Sequence, residues 1–291
     1  MLANHDSVDV IAVYTQPDRT AGRGQKLHVG EVKTAAIAHN LTLEQPLNWR
    51  DDRVVAQFAR YAPDLLIVAA YGLILPASAL AISRYGALNV HASVLPRWRG
   101  AAPIQRAIMA GDRESGVTIM QVIPALDAGP ILRIATCPIA ESDTAGSLST
   151  KLAELGARAL CEVLAELDKA LASAVPQAAA GVTYAAKLTS DDRGLDWREP
   201  ALVLQRKIRA LNPAPLAVTE VVGLPVNIRA AVAMPALTLK SPGTILAWTR
   251  DGIDIATTDG KLRLLELQPA GKRVMAVREF INGYRQPAPA Q

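Results

Sequence analysis

An α/β fold with a parallel sheet, followed by a small antiparallel β-barrel, is the architecture that the sequence predicts. In the first half of the chain, short continuous apolar runs alternate with helical segments, as in parallel sheets covered on both faces. Near residue 172 the composition changes to small, polar and Pro-containing residues. Beyond this point, short alternating runs between turns predict about five or six antiparallel strands. We therefore expect a Rossmann-like domain followed by an OB-like barrel.

Local sequence patterns predict the strands and helices of the first domain. Short, β-branched apolar runs predict strands at residues 8–15, 64–70, 87–92, 117–123 and 130–139. Amphipathic spacing, or a Pro at the start and a Gly at the end, predicts helices at residues 32–40, 103–111 and 147–171.

The same patterns set the expected domain limits. Residues 1–171 form the first domain, residues 172–197 a linker, and residues 198–291 the second domain. The second domain opens with a helix at residues 198–213, which an Asn-Pro pair ends. The dipeptides Asp251-Gly252 and Asp259-Gly260 predict two hairpins in the barrel.

Composition excludes several protein classes. Half of the 291 residues are hydrophobic and 20% are charged, which is typical of a globular protein and not of a disordered one. We expect no membrane span, since the sequence has no uncharged apolar run of about 18 residues, and no signal peptide. Cys137 and Cys161 lack metal-ligand or disulfide spacing, so a reducing cytoplasm is expected. No metal site is predicted, because the four histidines are scattered at His5, His28, His39 and His91.

The net charge of +4 is unevenly distributed. Residues 1–186 carry 16 Lys and Arg against 17 Asp and Glu, whereas residues 187–291 carry 15 against 10. A basic C-terminal third favours an anionic partner there, most simply a nucleic acid. On charge alone, a role in solubility is an equally good explanation.

Three polar side chains are predicted to converge. Asn89 and His91 alternate at a strand end and so share one face, and Asp127 follows the next strand. An amide can donate to an oxyanion, an imidazole can exchange a proton near neutral pH, and a carboxylate can orient that imidazole. Without a Ser or Cys nucleophile in the set, direct attack of a substrate amine on a carbonyl is favoured. Structural roles for His91 and for the Asp127 turn remain open from spacing alone.

These residues lie in a stretch that resembles a known family. Residues 89–132 resemble the signature region of the folate-dependent formyltransferases, which read N-x-H-x-S-L-L-P followed by L-D-x-G. The segments YTQPDRTAGRGQKL, AYGLILP, AAKLTSDDRGLDW and LQPAGKRVM resemble the branch that acts on methionyl-tRNA. The resemblance covers nearly the whole chain.

The resemblance implies transfer of a formyl group from 10-formyltetrahydrofolate to the amine of methionine on initiator tRNA, without a metal. It places Asn89, His91 and Asp127 on the catalytic triad. The implied folate-contacting residues are Ser93, Val94, Leu95, Pro96, Leu73, Ile74 and Leu75. The implied tRNA-contacting loop holds Arg19, Arg23 and Lys26, and candidate cations in the basic barrel are Lys261, Arg263, Lys272 and Arg273. A monomer without a membrane partner is expected.

The chain also departs from this pattern. It starts downstream of the family's first strand and its F-x-G-T-P-x-F-A loop, so unpaired backbone is expected on both sides of a gap in the sheet. Val94 replaces a Leu of the folate turn, and Ala214 replaces a Trp. Other readings are formyl transfer to a sugar-nucleotide or ribonucleotide amine, hydrolysis of formyltetrahydrofolate, and a tRNA-binding homologue with impaired catalysis.

Overall fold

The computed structural model describes residues 2–5, 7–21, 26–236 and 240–284. The chain divides into two compact units. One unit comprises Met1–Ala101, Gly116–Thr136 and Leu152–Tyr184, and the other comprises Ala102–Ser115, Cys137–Lys151 and Ala185–Gln291.

Eight α-helices lie within the described residues. They are α1 (Glu31–Ala38), α2 (Asp52–Arg60), α3 (Ala77–Leu80), α4 (Pro103–Ala110), α5 (Ala145–Ala165), α6 (Leu167–Ala172), α7 (Ala201–Ala210) and α8 (Val277–Gly283). Two 3₁₀ turns cover Leu2–Asn4 and Asp191–Arg193. In this described part, no helix is both long and apolar enough to cross a membrane.

Sixteen strands accompany these helices in the described residues. The strands are β1 (Val13–Tyr14), β2 (Arg19–Ala21), β3 (Lys26–His28), β4 (Leu43–Glu44), β5 (Leu66–Ala69), β6 (Ala87–His91), β7 (Arg99–Gly100), β8 (Glu114–Gln121), β9 (Ile131–Pro138), β10 (Tyr184–Ala185), β11 (Ala217–Val221), β12 (Leu224–Pro235), β13 (Ile245–Thr249), β14 (Gly252–Ala256), β15 (Gly260–Pro269) and β16 (Met275–Ala276).

The α/β character and parallel pairing of the N-terminal domain are as predicted. A four-stranded sheet has the order β5-β6-β8-β9, and β5 and β6 are parallel, with Ala69 opposite Val90. Strand β8 is an exception because it runs antiparallel to β6. The connection through α4 returns to the end at which β6 finished, so β8 runs back beside it. A fully buried apolar strand has the same pattern in either direction, and the sequence therefore did not distinguish them.

The strand predicted at residues 8–15 is too long. Only Val13–Tyr14 is extended and paired, in parallel with β4, where Val13 N–H donates to Thr42 O at 2.8 Å and Thr15 N–H to Glu44 O at 3.0 Å. Apolar character alone does not make a strand where no neighbour supplies hydrogen bonds. Within the described residues, no strand pairs with the other edge of β1 or with the outer edge of β5.

The helix predicted at residues 147–171 is also corrected. It is two helices, α5 and α6, separated at Glu166, whose φ of −131° is not helical. Apolar periodicity continues across this break, so the sequence pattern did not reveal it.

An antiparallel sheet forms the C-terminal domain, as predicted. Its strand order is β11-β12-β15-β14-β13, with β16 on β15. Both predicted hairpins are confirmed, one joining β13 to β14 and the other joining β14 to β15. Helix α7 adds Leu204 and Ile208 to a core that includes Ile228, Leu262 and Phe280. The edge strands β11 and β13 do not pair with each other among the described residues, so no closed barrel is seen there.

Candidate active site

The Asp127 carboxylate is the point at which the predicted polar residues meet. Its Oδ1 accepts from Asn89 Nδ2 at 3.4 Å, and its Oδ2 lies 3.7 Å from His91 Nδ1. The backbone N–H of Gly100 donates to the same Oδ2 at 2.8 Å. The structure thus brings together Asn89, His91 and Asp127, because β6 presents the first two on one side and the turn after β8 delivers the third.

The His91 imidazole has a hydrogen-bond partner at one ring nitrogen and a carboxylate near the other. Its Nε2 lies 3.0 Å from the carbonyl oxygen of Trp98, and its Nδ1 faces Asp127. The side chain is only 6% exposed. Because Trp98 O is a carbonyl oxygen, Nε2 is the donor in that bond, whereas the Nδ1–Oδ2 distance of 3.7 Å is an ion-pair distance beyond the reach of a hydrogen bond.

The turn after β6 holds the predicted folate-contacting residues 93–96, and it is fixed to β8. The Thr118 hydroxyl donates to Ser93 O at 2.7 Å and accepts from Leu95 N–H at 3.1 Å. The Ser93 hydroxyl closes the turn by donating to Arg97 O at 2.6 Å, and Pro96 O accepts from Thr183 N–H at 3.4 Å. Thr118 is fully buried, and the sequence analysis missed it because a Thr in an apolar strand has no local signature.

A tight turn presents Asp127. Asp127 has a φ of +45°, a left-handed conformation that Asp tolerates better than most residues. Two residues later, a Cβ on Gly129 would overlap the carbonyl oxygen of Gln121. Gly129 is therefore required by close backbone approach, which explains the glycine of the L-D-x-G pattern.

The predicted pterin-reading segment, residues 73–75, follows β5. Because β5 and β6 are parallel neighbours, this segment leaves the sheet at the edge where His91 ends β6. Leu73 and Leu75 pack against the aromatic cluster around Trp49 and Phe58. Ile74 points to solvent with 92% of its side chain exposed, so the backbone here is flanked by an uncovered apolar group.

The predicted tRNA-contacting loop belongs to a hairpin of β2 and β3. Arg19 lies on β2, opposite His28, and Lys26 lies on β3, opposite Ala21. Arg23 lies outside the described residues. Immediately before the hairpin, Asp18 pairs with Lys33 at 2.6 Å, which ties its base to α1.

Two of the predicted barrel cations are engaged by a buried carboxylate. Lys261 Nζ lies 2.6 Å from Asp254 Oδ2, and Arg263 donates to both oxygens of Asp254 at 2.6 and 2.9 Å. The Asp254 side chain is 1% exposed, whereas the cations keep 22% and 25% of their surface. Hydrogen bonds from Arg263 and then Lys261 hold the pKa of Asp254 below its usual range despite burial.

The other two predicted cations differ from each other. Arg273 pairs with Glu279 at 2.5 Å on the surface, which offsets its charge. Lys272 is exposed at the turn between β15 and β16, where its carbonyl oxygen accepts from Gln268 Nε2 at 3.2 Å.

Two further arginines were missed. Arg250 and Arg278 line a cavity of about 250 Å³ together with Asn282 and Glu279. Both arginines are exposed, and neither has an ion-pair partner among the described residues. Their signal in the sequence was only the basic bias of residues 187–291. Arg250 lies in the turn between β13 and β14, and Arg278 lies in α8, so their proximity depends on how these elements pack.

The two cysteines of the chain are not joined in a disulfide. Cys137 and Cys161 are free thiols, and burial raises the pKa of Cys137. In the parts of the chain that the structure covers, no group of three or more His, Cys, Asp or Glu residues is placed to hold a metal ion.

Comparison with known proteins decides the family. The formyl transferase family model matches residues 1–164, and the model of the formyl transferase C-terminal domain matches residues 187–285. The chain belongs to the formyl transferase family. Methionyl-tRNA formyltransferase of Nitrosococcus oceani is 49% identical to this family member over 274 residues, which cover 94% of this chain and 85% of that protein. The protein of the same name from Stenotrophomonas maltophilia is 49% identical over 278 residues, or 95% and 91% of the two chains.

Solved structures share the fold of this formyl transferase. HypX from Aquifex aeolicus, crystallised with tetrahydrofolic acid, matches with a TM-score of 0.62 and 21% identity, over 85% of this chain and 43% of HypX. An N-formyltransferase from Helicobacter canadensis, crystallised with folinic acid and dTDP-3-aminofucose, matches with a TM-score of 0.61 and 15% identity, over 88% and 87% of the two chains. At these identities the likeness concerns the fold.

Proposed function

We propose that this protein transfers the formyl group of 10-formyltetrahydrofolate to the α-amino group of methionine on initiator tRNA, as required for translation initiation. The observation that carries the proposal is 45–49% identity to methionyl-tRNA formyltransferases over at least 94% of the chain. The meeting of Asn89, His91 and Asp127 at one carboxylate supports the chemistry.

The reaction needs no covalent enzyme intermediate. The amine nitrogen attacks the formyl carbon, a C–N bond forms, and the carbonyl oxygen becomes an oxyanion. Collapse of this tetrahedral species breaks the bond between carbon and N10 of the folate. The amine loses one proton and N10 gains one, so the products are formyl-methionyl-tRNA and tetrahydrofolate. The protein must therefore stabilise an oxyanion and move one proton.

The hydrogen bonds at the site suggest which residue performs each of these two tasks. Oδ2 of Asp127 accepts from Gly100 N–H and faces His91, whereas the one hydrogen bond to Oδ1 in the part of the chain that the structure describes is the long one from Asn89 at 3.4 Å. We assign Oδ1 as the proton acceptor for the attacking amine. Asn89 uses one amide N–H on Asp127 and keeps the second for the oxyanion. The His91 imidazolium adds positive charge beside the developing negative charge.

For the folate, we propose the turn of Ser93, Val94, Leu95 and Pro96 and the segment of Leu73, Ile74 and Leu75. The backbone of the second segment would read the pterin edge. Support comes from its exit at the same sheet edge as His91 and from the rigid attachment of the turn to Thr118.

For the tRNA, we propose contacts from the loop with Arg19, Arg23 and Lys26 and from exposed cations of the C-terminal domain. Lys272, Arg250 and Arg278 are the stronger candidates there, since Lys261 and Arg263 are engaged by Asp254 and Arg273 by Glu279. Such contacts would hold phosphates without reading sequence.

We also propose that the C-terminal sheet is a curved, OB-like one and that the protein works as a cytoplasmic monomer. In β12, the register shifts on both sides of Ala230, and such bulges bend a strand strongly.

The domain limits that we propose are residues 1–171, a connecting segment 172–197, and residues 198–291.

The direct test is formylation of methionine-charged initiator tRNA by the purified chain, with a dTDP-amino sugar as a competing acceptor. We expect transfer to the tRNA and a loss of at least 100-fold in kcat for His91→Ala. His39→Ala, a change at an exposed histidine, is the matched control and should leave kcat unchanged. Transfer to the sugar alone, release of free formate alone, or tRNA binding without turnover would contradict the proposal.

A further inference from the structure

The side chain of Gln177 lies against the Asp127 turn and uses its full hydrogen-bonding capacity. Its Nε2 donates to the carbonyl oxygens of Asp127 at 2.8 Å and Gly129 at 2.9 Å. Its Oε1 accepts from Arg99 Nε at 3.0 Å and from Nη2 at 2.7 Å. A primary amide has two N–H donors and two acceptor positions, and all four are used here.

These bonds close a ring around the candidate proton acceptor. Arg99 directly precedes Gly100, whose N–H donates to Asp127 Oδ2. The side chain of Asp127 is therefore held by Gly100, and its backbone is held by Gln177, which is itself attached to Arg99.

The segment that carries Gln177 is anchored on both sides. Before it, Val175 and Ile131 exchange backbone hydrogen bonds of 2.8 and 2.9 Å. After it, Thr183 accepts from Trp98 N–H through its hydroxyl at 2.9 Å and from Arg99 N–H through its carbonyl at 2.9 Å. This part of the expected linker thus packs beside the active-site turn.

The backbone of Asp127 is in the left-handed region, which few residues other than glycine adopt readily. A φ of +45° is disfavoured for residues with a Cβ, although Asp tolerates it better than most. Such a conformation persists where several surrounding hydrogen bonds hold the backbone in it. The two N–H groups of Gln177 Nε2, which donate to the carbonyl oxygens of Asp127 and Gly129, stabilise this turn relative to other backbone conformations.

We propose that Gln177 is a positioning residue for formyl transfer, which acts by holding Asp127 where its Oδ1 meets the attacking amine. The inference rests on the proposed function. It predicts an effect on turnover and not on substrate binding. Among the described residues, Gln177 bonds to the turn that carries Asp127, to Arg99 and, more weakly, to Met120 Sδ at 3.8 Å, and none of these belongs to the proposed folate or tRNA contacts.

Two substitutions test the N–H donors of Gln177 separately from the whole side chain. Gln177→Glu keeps the size and the acceptor for Arg99 but replaces both N–H donors with a carboxylate oxygen that faces two carbonyls. Gln177→Ala removes these four bonds and the weaker contact to Met120 Sδ. A displacement of about 1 Å in a reacting group costs about 100-fold in rate, so we expect kcat to fall about 10- to 100-fold in both variants. KM for 10-formyltetrahydrofolate and for the charged tRNA should stay within about twofold.

Steady-state formylation assays on the full chain make this measurement, with folate titration as a check that the site is folded. Gln57→Ala, at an exposed glutamine whose side chain donates to Glu44, is the matched control and should retain kcat. Wild-type kcat in Gln177→Glu, or a rise in KM with unchanged kcat, would overturn the inference. Absence of formylation by the wild-type protein would instead reject the proposed function.

Discussion

The backbone N–H of Gly100 donates a 2.8 Å hydrogen bond to Oδ2 of Asp127 and thereby makes the two carboxylate oxygens unequal. Oδ2 is held and faces His91, whereas Oδ1 has, among the described residues, a single long hydrogen bond from the Asn89 amide at 3.4 Å. A carboxylate with one anchored and one available oxygen suits a group that both orients a neighbour and accepts a proton.

Substitution of Asp127 by Asn tests this division. The change keeps the shape but removes the charge and the basic oxygen, so we expect kcat to fall about 10²- to 10⁴-fold. Folate binding should change little, since the proposed folate segments lie elsewhere. Single-turnover formylation and equilibrium titration with the folate provide the measurement. Wild-type turnover in this variant would show that another group accepts the proton.

Gly129→Ala should unfold the turn that presents Asp127. The new Cβ would overlap the carbonyl oxygen of Gln121, and overpacking of this kind costs about 1–3 kcal/mol. Urea denaturation gives the change in the free energy of unfolding. Gly194→Ala is the control, because Gly194 has a φ of −65° and open space around its Cα. Equal stability of the two variants would contradict the close approach.

Thr118→Val should loosen the folate turn. The valine keeps the volume but removes the hydroxyl that connects Ser93 O and Leu95 N–H, which leaves two buried backbone groups without a partner. We expect a loss of about 1–3 kcal/mol in stability and a raised KM for 10-formyltetrahydrofolate. Thr118→Ser, which keeps the hydroxyl, should restore the KM. Failure of the serine variant to do so would assign the effect to packing.

Asp254→Asn should destabilise the protein in a pH-dependent way. Since the folded-state pKa of Asp254 is lowered by Arg263 and Lys261, its contribution is present above the unfolded value of about 4 and is lost as the pH falls through the lowered folded value. The difference in unfolding free energy between wild type and variant should be about 1–3 kcal/mol at pH 7 and should shrink below about pH 4.

Urea denaturation at several pH values checks this expectation. Asp191→Asn, at an exposed aspartate of the same unit, is the control and should show only a small effect at all pH values. A difference for Asp254→Asn that does not vary with pH would contradict an ionic role for Asp254.

Removal of Arg250 and Arg278 together should weaken tRNA binding. Each phosphate contact that is lost lowers the salt dependence of the affinity by about one unit in log–log slope. We expect the Arg250→Ala and Arg278→Ala double variant to reduce this slope by about 1–2. Filter binding at several salt concentrations measures it. Arg198→Ala is the control, because Arg198 is an exposed arginine already paired with Asp196 at 2.8 Å. An unchanged slope would show that the two arginines do not take part in the proposed tRNA contacts.

The α/β fold, the antiparallel C-terminal sheet with its two hairpins, and the meeting of Asn89, His91 and Asp127 were all predictable from the sequence. These features follow from local chemistry: the apolar period, the Asp-Gly turns, and the rule that side chains at strand ends share an edge.

The hydrogen bonds that support these residues could not be predicted from the sequence, because they arise from the tertiary structure. The direction of β8, the partner of Lys261 and Arg263, and the hydrogen bonds of Thr118 and Gln177 depend on segments far apart in sequence. Gln177 is 50 residues from Asp127 and lies in a stretch whose composition predicts only a linker. Local propensity specifies elements, but which polar groups satisfy one another depends on which segments folding brings together.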